Sequence, residues 1–570
     1  MRSRLLVLAI GAAFTSFEFG ISSRVSASPP PVQGKNGVVT TSQKYASEVG
    51  LQILKEGGNA VDAAVAVGYA LAVVDPCCGN IGGGGFMTIH LANGKNTFIN
   101  FREKAPLAAR SNLYLDQNGN VIPGLSTTGY PAVGVPGTVL GLDRALSEYG
   151  TMTRKRVIAP AIRLAEQGYI LQQGDITTLS SSTKGFAAQP NVAAIFLKDG
   201  KTTPYQIGDR LVQENLAKAL KLIAARGPKA FYKGPIADEL VKASVANNGL
   251  LTKKDLADYT VEETKPVSCN YRGYEIISSP PPGSGTVLCE MLNILEGYPL
   301  SYLGFRSPTS VQRFLESMLF AYADRNTYLG DPDFISIPLE RLLSKDYAAT
   351  IRDKLPESGA TPPCQVYSCV TTNEGTNTTH YSIVDRYGNA VGVTYTINAL
   401  FGAKVIAGNT GFLLNDEMDD FTSKPGVPNL FGLVQGSNNA IEPGKRPLSS
   451  MSPTIVFKDG KVFMVTGSPG GSRIITIVLQ VITNVLDYGF DIQSAVDYPR
   501  FHYQGLPNSI NLEQNSLPPD TIQTLSQTGF TFDKETLTWG ASESILVDPT
   551  TGLFYGASDK RRPAGAALAY

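Results

Sequence analysis

The chain has 570 residues, 42% hydrophobic and 17% charged, the balance of an ordinary globular protein with room for a large core. Lys plus Arg and Asp plus Glu number 49 each, so no basic excess marks a nucleic-acid surface, and no nucleic-acid partner is expected. The 57 glycines and 36 prolines fall in short clusters, which read as turns between many elements.

The chain opens on Arg2 and Arg4, an apolar run from Leu5 to Phe14, and the small residues Val25-Ser26-Ala27. That order predicts a secretory signal peptide over residues 1–27, cut after Ala27, and an exported product, periplasmic or secreted. The competing reading is a membrane anchor. Glu18 interrupts the apolar stretch short of the ~20 residues a span needs, so no stable anchor is expected. Beyond it, Ala46, Val49, Gly50, Ile53 and Leu54 form a helical stripe that Gly57-Gly58-Asn59 breaks. Ala60 to Val74 is apolar almost all round, the pattern of a helix buried inside a large protein.

Gly82 to Gly85 leads into a strand-like run from Phe86 to Leu91. A phosphate loop is the tempting reading, but no Lys-Ser/Thr follows and the dinucleotide spacing is absent. From about 135 to 350 the pattern is mainly helical, as in Leu211 to Ala225 and Ser310 to Tyr328, with Pro280-Pro281-Pro282-Gly283 as a rigid turn. This stretch reads as scaffold. Leu355 to Thr376 shifts to Pro, Ser, Thr, Asn and Gly, a flexible and exposed segment. It ends at Asn377-Thr378, after which Thr379 to Val384 and Ala390 to Thr396 read as a hairpin around Asp385-Arg386-Tyr387-Gly388-Asn389. Thr454 to Phe457 and Val462 to Thr466 form a second strand pair, and Ser544 to Val547 a late strand.

The chemistry has few histidines to draw on. His90, His380 and His502 are all there are, no G-x-S-x-G elbow is present, and no metal site is expected. Of the six cysteines, Cys364 and Cys369 are close enough to close a small loop. A loop running directly into a strand at Thr378 suits internal self-cleavage, which needs no histidine. The hydroxyl attacks the Asn377 carbonyl, and the freed threonine carries both a nucleophile and an α-amine able to act as its base. An α-amine has a pKa of about 7.7–8, so a useful fraction is neutral near pH 7. Asn377-Thr378-Thr379 also fits the glycosylation pattern, and three residues alone leave both readings open.

The company of Thr378 decides between them. Thr378-Thr379-His380-Tyr381-Ser382 followed by Val393-Thr394-Tyr395-Thr396-Ile397-Asn398 resembles the small-subunit start of the γ-glutamyltransferase (γ-glutamyltranspeptidase) family. Gly58 to Ala64, Gly82 to Phe86, Phe101 to Pro106, Arg446 to Pro453 and Gly467 to Arg473 match further family motifs in order. The resemblance implies a four-layer αββα sandwich of the N-terminal-nucleophile hydrolases, an α+β fold. Residues 28–377 and 378–570 would be two interleaved subunits cut from one precursor. It further implies Thr378 as nucleophile, Thr396 tuning its hydroxyl, and Gly470 and Gly471 supplying an oxyanion hole. Arg102, Ser449 and Ser450 would bind the substrate α-carboxylate, and Asn398, Glu417 and Asp420 its α-ammonium. Asn415 to Ser449 resembles the lid loop of bacterial members. Phe431 stands where relatives often carry tyrosine, so a lid closing by packing rather than by a hydroxyl latch is expected. The implied substrates are glutathione and other γ-glutamyl compounds, with water, amino acids or peptides as acceptors and no cofactor. The rivals are a glutaryl-cephalosporin acylase of the same superfamily and a non-catalytic periplasmic amino-acid-binding protein.

Overall fold

The computed structural model describes residues 28–366 and 378–570; the predicted signal peptide, Cys369 and Asn377 with its bond to Thr378 lie outside them. Asn59 starts the helix Ala60–Val74 by accepting from the N–H groups of Val61 and Asp62, while Asp62 accepts from the Asn59 N–H. Every residue of that helix is buried, as its all-round apolar surface requires. It packs with Lys44–Lys55, Thr138–Tyr149 and Arg154–Gln167 into one outer layer of helices.

That layer covers an antiparallel seven-stranded sheet. Its strands run Ala566–Ala569, Gly37–Thr41, Thr379–Asp385, Ala390–Thr396, Gly84–His90, Asn96–Asn100 and Glu262–Thr264. Behind it lies a second seven-stranded sheet, in the order Val32–Gly34, Phe554–Ser558, Glu543–Val547, Lys461–Thr466, Thr454–Lys458, Tyr274–Ser278 and Val267–Tyr271. Val38, Val384, Ile455, Val465 and Ile545 fill the space between the sheets. Helices Gly285–Leu295, Pro308–Tyr328 and Ile474–Leu486 close the far side over their own apolar core. The expected αββα sandwich is therefore the architecture found. In both sheets, strands that precede Thr378 lie beside strands that follow it.

The strand and helix bounds fall within a few residues of the sequence expectations, with one correction. The stretch read as helical scaffold also contributes Glu262–Thr264, Val267–Tyr271 and Tyr274–Ser278, which extend both sheets. These strands are too short to stand out beside long periodic helices, and they are held by neighbours distant in sequence. Two disulfides were not foreseen, Cys77–Cys78 and Cys269–Cys289; Cys364, expected to close a small loop with Cys369, is disulfide-bonded, and Cys369 lies outside the described residues.

The glycine run has a packing reason. A Cβ on Gly83 would lie 1.9 Å from the Thr396 carbonyl oxygen, and one on Gly85 2.5 Å from that of Thr394. The run exists so that the strand Gly84–His90 can press against Ala390–Thr396.

Candidate active site

Thr378 is buried and sits one residue before its strand. In the hairpin register Thr379 faces Tyr395 and His380 faces Thr394, which sets Thr378 opposite Thr396. The Thr396 hydroxyl oxygen accepts from the Asn398 N–H at 2.8 Å, leaving its own proton to donate elsewhere. Asn398 takes φ 72°, a left-handed turn that asparagine tolerates, and its side-chain amide donates to the Asp416 carbonyl at 3.1 Å.

These residues line one narrow cavity with Arg102, Glu417, Asp420, Phe431, Ser449, Ser450 and Gly471. Gly470 lines the adjoining cavity. Gly470 and Gly471 have φ 143° and 57°, positive values that side chains disfavour, and they stand just before the helix Ile474–Leu486. Backbone N–H groups at a helix start carry partial positive charge, so this corner favours a developing oxyanion.

Arg102 is fully buried beyond the end of the strand Asn96–Asn100. Its guanidinium donates to Glu417 and Asp420 and, through Nε, to the Pro447 carbonyl at 3.3 Å; Glu103 stands 3.6 Å away. Burial opposes the charge of Arg102, but the three carboxylates outweigh it and raise its pKa. Burial pushes the Glu103 carboxyl up to about 7 despite Arg102, and raises that of Glu417 well above its ordinary range. The sequence reading gave Arg102 to the α-carboxylate and this acidic pair to the α-ammonium, two groups on one carbon of the substrate; the structure joins the arginine and the pair directly.

One functional candidate was missed. Arg325, on the helix Pro308–Tyr328, also lines the cavity and donates to Ser450 Oγ at 3.1 Å and to Ser284 Oγ at 3.1 Å. Ser284 in turn donates to the Ser449 carbonyl at 2.6 Å, and Ser449 Oγ accepts from the Met451 N–H at 3.2 Å. Both serine oxygens thus accept from the protein, which leaves their protons to face an anion. The overlooked signal is an arginine continuing the buried stripe Phe314, Met318 and Tyr322, where a charge is rarely tolerated unless it is used.

The histidines stand apart. None lines this cavity; His380 is held by Thr394 and Ser382 and His502 by Thr476 and Gln504. Among the described residues, the group with ligand atoms close enough for a metal is Asp75, Cys77 and Cys78, whose sulfurs are joined as a disulfide. No described helix is long and apolar enough to cross a membrane. Phe431, Leu433 and Leu448 are buried and line the cavity, and the Phe431 carbonyl accepts from Gln504 at 3.4 Å.

Comparison with known proteins finds both hydrolases and acylases. The family profile described as Gamma-glutamyltranspeptidase matches residues 46–569. The glutathione hydrolase proenzyme of Pseudomonas sp. (strain A14) is 56% identical over 554 residues, 96% of each chain. That of Escherichia coli (strain K12) is 49% identical over 537 residues, 93% of this chain and 91% of its own. Among solved structures, cephalosporin acylase from Bacillus halodurans superposes with a TM-score of 0.84 at 27% identity, over 97% of this chain and 99% of that one.

Proposed function

We propose that this chain, which belongs to the γ-glutamyltranspeptidase family, is a self-processing glutathione hydrolase and γ-glutamyltransferase with Thr378 as its nucleophile. The observation that carries this reading is the register of the hairpin. It sets Thr378 opposite Thr396, in one cavity with Gly471, Arg102 and the Glu417–Asp420 pair. Cleavage before Thr378 separates residues 28–377 from 378–570, and interleaved strands keep the two pieces in one globule. Export of the proenzyme accords with the residues at the start of the chain.

In the reaction, the α-amine of Thr378 takes the hydroxyl proton as Oγ attacks the γ-carbonyl. The N–H groups of Gly470 and Gly471 receive the oxyanion, a service worth about 10²–10³ in rate per donor in comparable enzymes. The amine leaves with a proton, and the γ-glutamyl ester on Thr378 passes to water or to an acceptor amine. Arg102, Ser449 and Ser450 bind the α-carboxylate, with Arg325 orienting Ser450. Asn398, Glu417 and Asp420 receive the α-ammonium, and Phe431 shields the site by packing.

The rival reading is a glutaryl-type acylase, favoured by the superposition on cephalosporin acylase. The Glu417–Asp420 pair tells against it, since a glutaryl group has no ammonium to meet. A denaturing gel and a rate test the main reading together. Wild type is expected in two pieces, the smaller starting at Thr378, and to release p-nitroaniline from γ-glutamyl-p-nitroanilide. Thr378→Ala is expected as one uncut, inactive chain. Cutting of that variant at the same bond would assign maturation to a separate protease.

A further inference from the structure

Just past the buried helix Ala60–Val74, Cys77 and Cys78 are neighbours in sequence and are joined as a disulfide. A disulfide stabilises chiefly by closing a loop in the unfolded chain, and does so more for longer loops. Cys269–Cys289 links residues 20 apart and can act in that way, whereas a bridge between adjacent residues closes almost nothing. Stapling the fold therefore does not account for it.

Its contacts suggest another use. The Cys78 carbonyl accepts the Ile397 N–H at 3.2 Å and the Cys77 carbonyl the Phe401 N–H at 2.8 Å, so the pair holds both ends of the loop that carries Asn398. Asp75 accepts from Thr379 Oγ1 at 3.2 Å, and a Cβ on Gly79 would lie 2.4 Å from the Thr379 methyl. The same turn is thus packed against the residue that follows the nucleophile. Each sulfur also has a charged neighbour. Asp75 Oδ1 lies 3.1 Å from Cys77 Sγ, and Arg562 Nη2 lies 3.8 Å from Cys78 Sγ. A guanidinium beside a cysteine favours its thiolate, the leaving group of disulfide exchange, and a carboxylate beside the other accepts a thiol proton. Both cysteines are buried, but Cys77 lines a small cavity that shares Asp75, Asp175 and Thr178 with a cavity of about 440 Å³ beside Gly470.

We propose that Cys77–Cys78 is a site of thiol–disulfide exchange with small thiols, and that its oxidation state sets the loop carrying Asn398. The inference rests on the proposed γ-glutamyl reading, whose donor glutathione is itself such a thiol. A thiolate bonds to Cys77 Sγ, the bond between the cysteines breaks, and its electron pair leaves on Cys78 Sγ beside Arg562. A second thiolate attacks the outer sulfur of the mixed disulfide and releases Cys77. Two thiols are oxidised to one disulfide and the protein pair is reduced. Of the two thiol protons, one ends on Cys77 beside Asp75 and one on water, leaving Cys78 as a thiolate. The turn then loses its cross-link, and the two carbonyls hold the loop less firmly.

The test uses the whole enzyme with 2-mercaptoethanol as the thiol. Free Cys77 and Cys78 are trapped with N-ethylmaleimide on unfolding and mapped by mass. Amide hydrogen exchange is followed over residues 397–401, and turnover by p-nitroaniline released from γ-glutamyl-p-nitroanilide. No trapping is expected before the thiol, and trapping of both cysteines after it. Exchange at Ile397 and Phe401 is expected to quicken and turnover to fall about three- to tenfold, the scale of one lost hydrogen bond. Reoxidation with hydroxyethyl disulfide is expected to restore both. Trapping before the thiol, none after it, or reduction that leaves either the exchange or the rate unchanged overturns the proposal. Cys77→Ser/Cys78→Ser is expected to run at the reduced rate and to ignore the thiol; a response retained there assigns the effect to another disulfide and likewise overturns it. If wild type releases no p-nitroaniline, the γ-glutamyl reading fails by itself, and trapping and exchange decide on the pair without turnover.

Discussion

Arg102 stands among Glu103, Glu417 and Asp420, so one guanidinium faces three carboxylates. A cation so surrounded has little field left for a fourth carboxylate until one of the three is given another partner. A γ-glutamyl donor brings that partner, because its ammonium engages the acidic pair while its carboxylate engages Arg102. A glutaryl group carries no ammonium and would leave a buried carboxylate short of its counter-charge. Removing one member of a buried, hydrogen-bonded charge pair costs about 2–5 kcal/mol. Asp420→Ala is therefore expected to lower kcat/KM for a γ-glutamyl amide by roughly 30-fold or more. For a glutaryl amide the same change releases Arg102, and its rate is expected to hold or rise. Kinetics of both amides on both proteins measure this, and equal losses would make Asp420 a structural residue.

At the scale of elements, the hairpin around Thr378 is legible because its two β-rich runs flank a turn whose Gly388 takes φ 95°. The glycine run is visible as a motif, but its purpose appears only once Gly83 lies against the Thr396 carbonyl. Arg325 escapes the sequence for a related reason: its partners Ser284 and Ser450 lie 41 and 125 residues away. The pairing of Arg102 with Glu417 and Asp420 spans 315 and 318 residues, beyond any local pattern. Family motifs bring such residues onto one roster, yet only the fold shows which of them touch. The hairpin carries its own prediction. Thr396 receives the Asn398 N–H, so its proton is directed away and is available to the facing Thr378. A hydrogen bond of that kind contributes roughly 0.5–1.5 kcal/mol, or about tenfold at the upper end. Thr396→Ala is expected to slow both maturation and turnover on that scale, while Thr396→Ser keeps much of each. Unchanged cleavage on a gel and unchanged turnover in Thr396→Ala would remove Thr396 from the mechanism.

For the whole molecule, what ties the layers together also sets its response to acid. His380 lies between the two sheets, with its ring nitrogens at 2.8 Å from Thr394 Oγ1 and 3.0 Å from Ser382 Oγ, and Ser382 donates across to the Glu543 carbonyl at 2.8 Å. A Cβ on Gly467 would come within 2.3 Å of the ring, so the imidazole lies tight against the Gly467 backbone. Burial accordingly pushes the His380 pKa down to about 3. An unfolded chain takes up that proton near pH 6.5 while the folded one refuses it. The stability due to neutral His380 is thus fully present above about pH 6.5 and is lost as pH falls toward 3, at about 1.4 kcal/mol per pH unit. Burial raises the carboxyls of Asp416, Glu417 and Glu543, which act in the opposite sense, so the wild-type curve alone does not isolate the histidine. A variant does. His380→Gln loses packing and is expected to melt below wild type at pH 8, but it has no proton to refuse. Its deficit is expected to shrink as pH falls, by about 2 kcal/mol between pH 7 and 5. Thermal midpoints of the two proteins across that range measure it. Parallel curves would mean that His380 is protonated inside the sandwich, and that the contact between the sheets holds a charge after all.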